Sequence, residues 1–398
     1  MDVFVARQPI VNRKKKLYAY ELLFRSGMSN GFPALNGDIA TSSVLSTSFF
    51  TVGIDKISGG RKSFINFTEE LLIRGTPTLF PSNKIFVEIL ETVPPSKEII
   101  EVCRGLRKRG YNLALDDFVY AQNFEPLIEL SNIIKIDFRL SPLEEIEKMV
   151  KHLSRYPLKL LAEKIETYDE FQKALGLGFM YFQGYFFAKP EVLKNKEIPP
   201  SKLAILQLIT EINTATFDVA SLEKLLNQDV AITYKLLTYL NSAYFSRLQP
   251  VSSIRQAIAY LGESGFKLFA TLIATSRLAD NKPDELIRMS IIRAHFLKQI
   301  GQEVNMASSE FFMLGLFSLL DAMLDNSMDY LLSKLPLTED VNDALIRREG
   351  RLFPFLRLVE TYESGNWSDF DAVRASCGIP GDSITRFYIE ALGWANSF

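Results

Sequence analysis

The feature that most limits the possible folds of this chain is an alternation repeated through its first half. Seven short apolar runs occur there: LYAYELLF, SFINF, KIFVEIL, NLALDDF, IIKIDF, LKLLAEKIE and FMYFQGYFF. Their length and their β-branched and aromatic content indicate strands, and stretches between many of them, such as SKEIIEVCRGLRKRG, have the spacing of amphipathic helices. Repeated strand and helix units predict a parallel α/β barrel rather than a sandwich.

The pattern changes near residue 190. The stretch EVLKNKEIPPSK is charged and contains prolines, which is typical of a linker, and the segments beyond it carry apolar residues at helical spacing. A chain of 398 residues is also too long for one hydrophobic core. We therefore expect an α/β barrel domain at residues 1–192, a linker at 193–200 and an all-α domain at 201–398.

The composition argues against several classes of partner. A net charge of −2 and a pI of about 6.0 disfavour binding to nucleic acid polymers and to anionic membranes. No segment reaches the roughly 18 to 20 apolar residues that span a bilayer. The two cysteines, Cys103 and Cys377, are far apart and belong to no metal-binding motif. These features predict a soluble cytoplasmic protein.

Polar residues end nearly every predicted strand of the barrel. They are Glu21, Asn66, Glu88, Asp116, Asp117, Lys135, Asp137, Glu163, Glu166 and Gln183. The carboxyl ends of parallel barrel strands meet at one mouth, and carboxylates are rarely buried unless they are paired or bind a metal. One strand-end carboxylate is usually a cap or a surface ion pair, but a whole series predicts a cation site.

The chemistry of this series narrows the choice of cation. Its ligand atoms are hard oxygens, with no histidine or cysteine among them, which favours Mg²⁺ or Mn²⁺ over Zn²⁺. Carboxylates at close range repel each other unless cations neutralise them. A pair of divalent ions suits the attack of water on a phosphodiester. The pattern therefore predicts metal-dependent phosphoester chemistry.

The order of motifs along the chain resembles that of the EAL-type cyclic di-GMP phosphodiesterases, which have a TIM-like barrel. The resemblance begins with QPI, which contains Gln8, and with ELLFR, which runs from Glu21 to Arg25 and keeps the family pattern E-x-L-x-R. Leu22 stands where the signature has alanine. The resemblance continues through FINF, VEILE, LALDDF, IKID, LAEKIET and YFQGYFFAKP.

The resemblance implies a role for each of these residues. Metal binding falls to Glu21, Asn66, Glu88, Asp116 and Asp117. Catalysis falls to Lys135, which would orient or polarise the attacking water, and to Glu163 and Glu166, which complete the metal and water network. Substrate contacts fall to Gln8, Leu23, Arg25, Asp137 and Gln183, and Glu91 supports the loop after Asp117. The implied reaction is hydrolysis of cyclic di-GMP to linear pGpG at a two-metal Mg²⁺ or Mn²⁺ site.

The loop after Asp117 departs from the family pattern. The family continues as DDFGTG, whereas this chain reads DDFVYAQ, so the permissive backbone of the glycines is lost. Three functions stay open: a phosphodiesterase, a catalytically weak or inactive cyclic di-GMP sensor, and a scaffold that has lost the ligand. The full ligand set favours the first and the loop favours the second. The cost of burying many carboxylates argues against the third.

The second half resembles the HDOD family, helical relatives of the HD phosphohydrolases. The resemblance rests on NQDVAITYKLLTYLNSAYF, SSIRQAIAYLG and FMLGLFSLLDAML. The His-Asp metal doublet of the HD enzymes would fall near Ser318 and Leu319, and the chain has only two histidines, His152 and His295. We therefore expect a regulatory domain and not a second hydrolase. A protein partner or a homodimer would form through this domain or through the barrel loop.

Overall fold

The computed structural model divides into two compact units. One contains residues 1–187 with 361–370, and the other contains residues 188–360 with 371–398. The structure describes residues 3–26, 29–30, 53–191, 198–213, 234, 237–238, 240–241, 251–279, 282–335 and 337–396. Most of the predicted linker at 193–200 lies outside these ranges, so the domain boundaries expected from the sequence stay a prediction.

The first unit contains a closed β-barrel. Its strands are β1 (Val3–Asn12), β2 (Leu17–Ser26), β3 (Ser29–Asn30), β4 (Lys62–Phe67), β5 (Ile85–Ile89), β6 (Asn112–Leu115), β7 (Ile133–Asp137), β8 (Lys159–Glu163) and β9 (Tyr181–Gln183). Eight of these nine strands form a ring in the order β1-β9-β8-β7-β6-β5-β4-β2, and β2 closes it by pairing with β1. The predicted α/β barrel is confirmed.

Strand β1 differs from the sequence-based prediction of parallel strands. It runs antiparallel to both of its neighbours, β2 and β9, whereas the other neighbours in the ring are parallel. The reason is the short basic turn at residues 13–16, closed by hydrogen bonds between Asn12 and Lys16 (2.9 Å) and between Lys15 and Asn12 (2.8 Å). A turn of this length can join only antiparallel strands.

Helices follow most of the parallel strands. They are α1 (Ile54–Ser58), α2 (Glu69–Ile73), α3 (Lys97–Lys108), α4 (Glu125–Leu130), α5 (Leu143–Leu153) and α6 (Tyr168–Gly176). Short 3₁₀ turns occur at Thr76–Leu79, Gln122–Phe124 and Tyr185–Ala188. Side chains fix where the helices begin: Ser96 caps α3, and Thr167 forms a capping box with Glu170 at the start of α6.

An apolar layer fills the barrel, with one residue from each strand of the ring. These residues are Ile10, Ala19, Phe64, Phe86, Ala114, Ile133, Leu161 and Tyr181. The rings of Phe64 and Phe86 stack with centroids 4.3 Å apart. The layer makes the barrel interior a packed core, as in other parallel α/β barrels, and it supports the residues that come next along each strand.

The second half of the chain is helical, as predicted. Its helices are α7 (Pro200–Asn213), α8 (Ile254–Leu278), α9 (Asp284–Glu303), α10 (Ser308–Phe317), α11 (Leu320–Leu324), α12 (Met328–Leu332), α13 (Glu339–Asn342), α14 (Phe353–Glu363), α15 (Trp367–Cys377) and α16 (Gly381–Asn396), with a π-helical turn at Asp343–Arg347. Helix α8 packs against α7, and α9 packs against α10 and α16. Gly262, with φ +69°, bends α8 sharply.

The residues considered above for an HD-type metal centre lie in hydrogen-bonded or apolar surroundings. Ser318 donates its hydroxyl to the carbonyl of Gly315 at 2.8 Å, and Leu319 is buried. His295 packs against Trp394 with ring centroids 4.8 Å apart, and burial lowers its pKa to about 4. Most of the NQDVAITYKLLTYLNSAYF segment lies outside the described residues.

Among the helices that the structure describes, none has by itself the length and hydropathy needed to cross a membrane. The two arms of α8 meet that criterion only when they are counted together, across a bend of 116°.

Candidate functional site

A second layer of side chains lies directly above the apolar layer, and all of it is polar. Side chains two residues apart on a strand lie on the same face of the sheet. The side chain that stacks on each apolar-layer residue, on the side of the mouth, therefore belongs to the residue two positions away in the sequence. These residues, here called the polar layer, are Gln8, Glu21, Asn66, Glu88, Asp116, Lys135, Glu163 and Gln183. The structure thus brings together eight of the residues predicted from the sequence.

The ammonium group of Lys135 lies at the centre of the polar layer. Its Nζ is 3.2 Å from a carboxylate oxygen of Glu21 and 2.8 Å from oxygens of both Asp116 and Glu163, and it also contacts Glu88. Lys135 is fully buried. One positive charge therefore faces four carboxyl groups, which leaves an excess of negative charge when all four are ionised.

Amide side chains orient Glu21 within the polar layer. Its Oε1 accepts a hydrogen bond from Asn66 Nδ2 at 3.2 Å, and its Oε2 accepts one from Gln183 Nε2 at 2.7 Å. Gln183 Nε2 also donates to Oε1 of Gln8 at 2.8 Å. These bonds hold the Glu21 carboxylate in one position beside Lys135.

The crowding of charge shifts the pKa values of the buried carboxyl groups. Burial, reinforced by the Glu21 carboxylate, raises the pKa of Glu88 well above its usual range. Burial also raises the pKa of Glu163 well above its usual range, with Asp116 adding to this effect and Lys135 partly offsetting it. For Asp116, burial acts in the same upward direction, but Lys135 outweighs it and lowers the pKa. Two of the four carboxyls therefore tend to keep a proton.

The polar layer offers free oxygen ligands for a cation. Among the described residues, buried side-chain oxygens without a hydrogen-bond partner include Asn66 Oδ1, Glu88 Oε2, Asp117 Oδ1, Glu163 Oε2 and Gln183 Oε1. One oxygen from each of Asp116, Asp117 and Glu163 also lies within 4.8 Å of the others. Buried polar atoms without partners are costly, and these are hard oxygens, so the residues fit a divalent cation such as Mg²⁺ or Mn²⁺.

We expect Mn²⁺ binding to release protons and to strengthen as the pH rises above the usual carboxyl range. A metal ligand must be deprotonated, and Glu88 and Glu163 hold protons above the usual carboxyl range. Calorimetry in buffers of different ionisation enthalpy would count the protons released, and Glu88→Gln should lower the count. A Mn²⁺ affinity that does not change with pH would contradict this.

The same shifts determine how the stability of the metal-free protein depends on pH. Because these carboxyls have higher pKa values in the folded chain, the folded state binds more protons than the unfolded state above the usual carboxyl pKa. The free energy of unfolding in EDTA is therefore expected to fall as the pH rises through this range.

Asp117 and Asp137 lie at the rim of the polar layer and share a cation. Lys164 Nζ contacts Asp137 and lies 3.4 Å from Asp117 Oδ2. Burial, reinforced by Asp116, raises the pKa of Asp117. Asp137 also accepts a hydrogen bond from the backbone N–H of Arg139 at 2.6 Å. Lys164 could not be predicted from the sequence, because an exposed lysine in a loop carries no distinctive pattern.

The loop after Asp117 is held by a side-chain network that no local sequence pattern predicts. Tyr120 donates its hydroxyl to Glu125 Oε1 at 2.8 Å, and its ring packs against His152 with centroids 4.0 Å apart. Arg155 and Tyr156 bind the same Glu125 carboxylate. These contacts hold the FVYAQ loop where the family pattern has glycines.

The remaining predicted site residues lie farther from the polar layer. Glu166 is exposed and forms an ion pair with Arg139 at 3.1 Å, and Glu91 is exposed in the turn after β5. Leu23 is half-buried on β2. The backbone of Arg25 belongs to β2, but its side chain lies outside the described part of the structure.

Comparison with known proteins identifies a matching family for each half of the chain. The EAL domain family matches residues 45–190, and the HDOD domain family matches residues 198–325. The cyclic di-GMP phosphodiesterase CdgJ of Vibrio cholerae is 37% identical over 397 residues, which cover 98% of this chain and 92% of that protein. YuxH of Bacillus subtilis is 34% identical over 412 residues, which cover 100% and 99% of the two chains.

Solved structures with similar regions include two proteins bound to cyclic di-GMP. A standalone EAL protein from Vibrio cholerae is 25% identical, with a TM-score of 0.35, and covers 47% of this chain and 92% of its own. The Bacillus subtilis YkuI protein, in complex with cyclic di-GMP and calcium, is 18% identical, with a TM-score of 0.35, and covers 65% and 73%. The two near-full-length relatives settle the family: this chain belongs to the EAL-HDOD proteins.

Proposed function

We propose that the barrel hydrolyses cyclic di-GMP to linear pGpG with the help of Mg²⁺ or Mn²⁺ at a two-metal site. The observation that carries the proposal is the polar layer, in which one side chain from every strand of the ring faces a single buried centre. The EAL domain match and the relative named as a cyclic di-GMP phosphodiesterase support the substrate and the reaction.

The metal ligands in this proposal are Glu21, Asn66, Glu88, Asp116 and Asp117. Their buried oxygens, several of them without protein partners, fit hard divalent cations. When bound, such ions activate water and screen the charge of the phosphodiester. The side-chain amides of Asn66 and Gln183 donate hydrogen bonds that hold the Glu21 carboxylate in the orientation that metal binding needs.

The catalytic groups are Lys135, Glu163 and Glu166. Lys135 keeps its charge in the buried site because, although burial lowers its pKa, Asp116 and Glu163 outweigh this and raise the pKa. Its ammonium stabilises negative charge and orients the attacking water. Glu163, at 2.8 Å from Lys135, would accept the proton of that water in its ionised form, which metal binding favours. The water oxygen bonds to phosphorus, one P–O3′ bond breaks, and the 3′ oxygen takes up a proton.

The substrate would lie on the rim above the polar layer. Gln8 and Gln183 belong to the polar layer and already share a hydrogen bond, and Leu23 and Asp137 come two residues after Glu21 and Lys135 on the same strand faces. Arg25, two residues after Leu23 on β2, would bind a substrate phosphate. Glu91 would support the loop after Asp117.

The second candidate function is a cyclic di-GMP sensor with little or no turnover. The observation that favours it is the loop after Asp117, which Tyr120 ties to Glu125 and which lacks the family glycines. A loop held this firmly could keep Asp117 from a productive arrangement. A scaffold without ligand is disfavoured, because it has no use for buried carboxyls at this cost.

The helical half would regulate the barrel or mediate protein contacts, either with a partner or in a homodimer. Its HDOD match supports a regulatory role. The near-neutral charge of the chain argues against nucleic acid polymers and membranes as partners, and a cytoplasmic location suits an intracellular nucleotide.

A product assay combined with calorimetry tests the proposal. We expect the purified full chain with Mn²⁺ to convert cyclic di-GMP to pGpG, detected by chromatography, and to bind the nucleotide in a calorimetric titration. Tight binding without product in both Mg²⁺ and Mn²⁺ would identify the protein as a sensor. Absence of binding under both conditions would leave only the scaffold.

A further inference from the structure

A segment from the far end of the chain forms part of the barrel unit. Residues 361–370, here called the 361–370 segment, group with residues 1–187, although about 170 residues of the other unit separate them in sequence. The segment contains the end of α14, the turn Ser364–Asn366 and the start of α15. Neither the polar layer nor the proposed chemistry accounts for its presence there.

Aromatic packing and one buried hydrogen bond attach the 361–370 segment to β1. Tyr362 is fully buried and donates its hydroxyl to the carbonyl of Val5 at 2.8 Å. The ring of Phe4 packs against Tyr362, Trp367 and Phe370, with centroid distances of 6.4, 6.1 and 5.2 Å. These contacts are buried, so they specify one position of the segment on the strand.

The register of β1 and β2 places these contacts at the mouth of the barrel. Gln8 pairs with Glu21, Ala6 with Leu23 and Phe4 with Arg25, so moving from Gln8 to Phe4 leads outward from the polar layer. The aromatic cluster on Phe4 therefore lies at the level of Arg25. The 361–370 segment therefore contacts the part of the rim that β1 and β2 form.

Two contacts of the turn reach the proposed substrate residues themselves. The carbonyl of Ser364 accepts a hydrogen bond from Gln8 Nε2 at 2.9 Å. This bond sets the orientation of the Gln8 amide, because it leaves Oε1 to accept from Gln183, which also donates to Glu21. Gly365 lies so near Leu23 that an added Cβ would be 2.5 Å from Leu23 Cδ1.

We propose that the 361–370 segment is part of the nucleotide site and positions Gln8 and Leu23 for cyclic di-GMP, an inference that rests on the proposed function of the barrel. Gly365 and Tyr362 are positioning residues in this view. Gly365 acts through its contact with Leu23, and Tyr362 holds the segment on β1 through Phe4 and Val5. Substitutions there should weaken nucleotide binding while the chemical step and Mn²⁺ binding stay intact.

Gly365→Ala in the full chain tests this proposal. Gly365 has φ +64°, and its new methyl group would press on Leu23. Gly378→Ala is the matched control, because Gly378 has φ +67° and nothing within 4 Å of an added Cβ, so it carries the same backbone strain without the contact. We expect Gly365→Ala to raise KM and the calorimetric Kd for cyclic di-GMP about tenfold, with kcat within about twofold.

Tyr362→Phe is the second variant, for the case in which Gly365→Ala does not fold. It keeps the aromatic ring and removes the hydroxyl that bonds to Val5, so KM and Kd should rise about threefold with kcat unchanged. Mn²⁺ affinity without nucleotide should equal that of the parent chain in all three variants. The calorimetric Kd makes the test independent of turnover.

The outcomes separate this proposal from the function on which it rests. The parent chain must first bind the nucleotide. If Gly365→Ala and Tyr362→Phe then have the same KM and Kd as the control Gly378→Ala, the segment has no part in the site. A lower kcat at unchanged KM would also overturn the proposal. If the parent chain binds no cyclic di-GMP, the proposed function fails, and this inference fails with it.

Discussion

Lys135→Met is expected to lower the free energy of unfolding of the metal-free protein by about 3–5 kcal/mol, the usual cost of removing one partner from a buried ion pair. The Lys135 ammonium is the group that all four polar-layer carboxyls contact. Without it, those carboxyls must take up protons or repel each other in a buried site. Urea unfolding in EDTA measures the loss.

Metal should replace part of what Lys135→Met removes. With saturating Mn²⁺ the difference between the variant and the parent chain should shrink, because the cation neutralises the same carboxyls. Lys159→Met is the control: Lys159 lies at the opposite end of β8, is exposed, and donates a hydrogen bond to the hydroxyl of Tyr181 at 3.3 Å. We expect it to change stability by no more than about 0.5 kcal/mol. Equal losses in the two variants would show that Lys135 does not stabilise the polar layer.

Glu21→Gln is expected to lower kcat/KM for cyclic di-GMP by about 100-fold or more, the upper end of the effects of altering groups that hold a metal. The substitution keeps the shape of the side chain but replaces a carboxylate oxygen with an amide nitrogen. Glu21 accepts hydrogen bonds from Asn66 and Gln183, so an amide N–H would face other donors. Initial rates of pGpG formation with Mn²⁺ measure the effect.

The control for Glu21→Gln is Glu70→Gln on α2. Glu70 is exposed and pairs with Arg74 at the end of the helix, so its substitution removes one carboxylate from the barrel unit without altering a polar-layer residue. Its kcat/KM should equal that of the parent chain. Full activity in Glu21→Gln, with Mn²⁺ affinity unchanged, would exclude Glu21 as a metal ligand and with it the proposed ligand set.

Much of the fold could be predicted from local patterns. The runs around Phe64, Glu88 and Lys135 were identified as strands because their apolar residues form short blocks between turns, and all three lie in the ring. Strand β1 was missed, because a polar and basic sequence around Arg7 and Gln8 does not resemble a buried strand. It is stabilised by pairing with β2 through the turn at residues 13–16.

The candidate site divides in a similar way. Seven residues of the polar layer could be predicted because each ends a recognisable strand, and the barrel brings strand ends together. The eighth, Gln8, lies within the missed strand β1 and was expected only from the family resemblance. The contacts of Tyr120 with Glu125, and of Lys164 with Asp137, could not be predicted. Tyr120 and Glu125 are half-buried near the start of α4, and Lys164 in the loop after β8 reaches the end of β7. No local periodicity reports which of these side chains meet.

The sequence by itself determined the two architectures and seven of the eight polar-layer residues, because the period-two geometry of a strand is a local property of the backbone. Only the tertiary structure decided that Lys135 faces four carboxyls at once and that Ser364 binds Gln8 across 356 residues of sequence. Such contacts depend on how the closed barrel and the packed aromatic residues position distant segments, and that information is not contained in any single stretch of the chain.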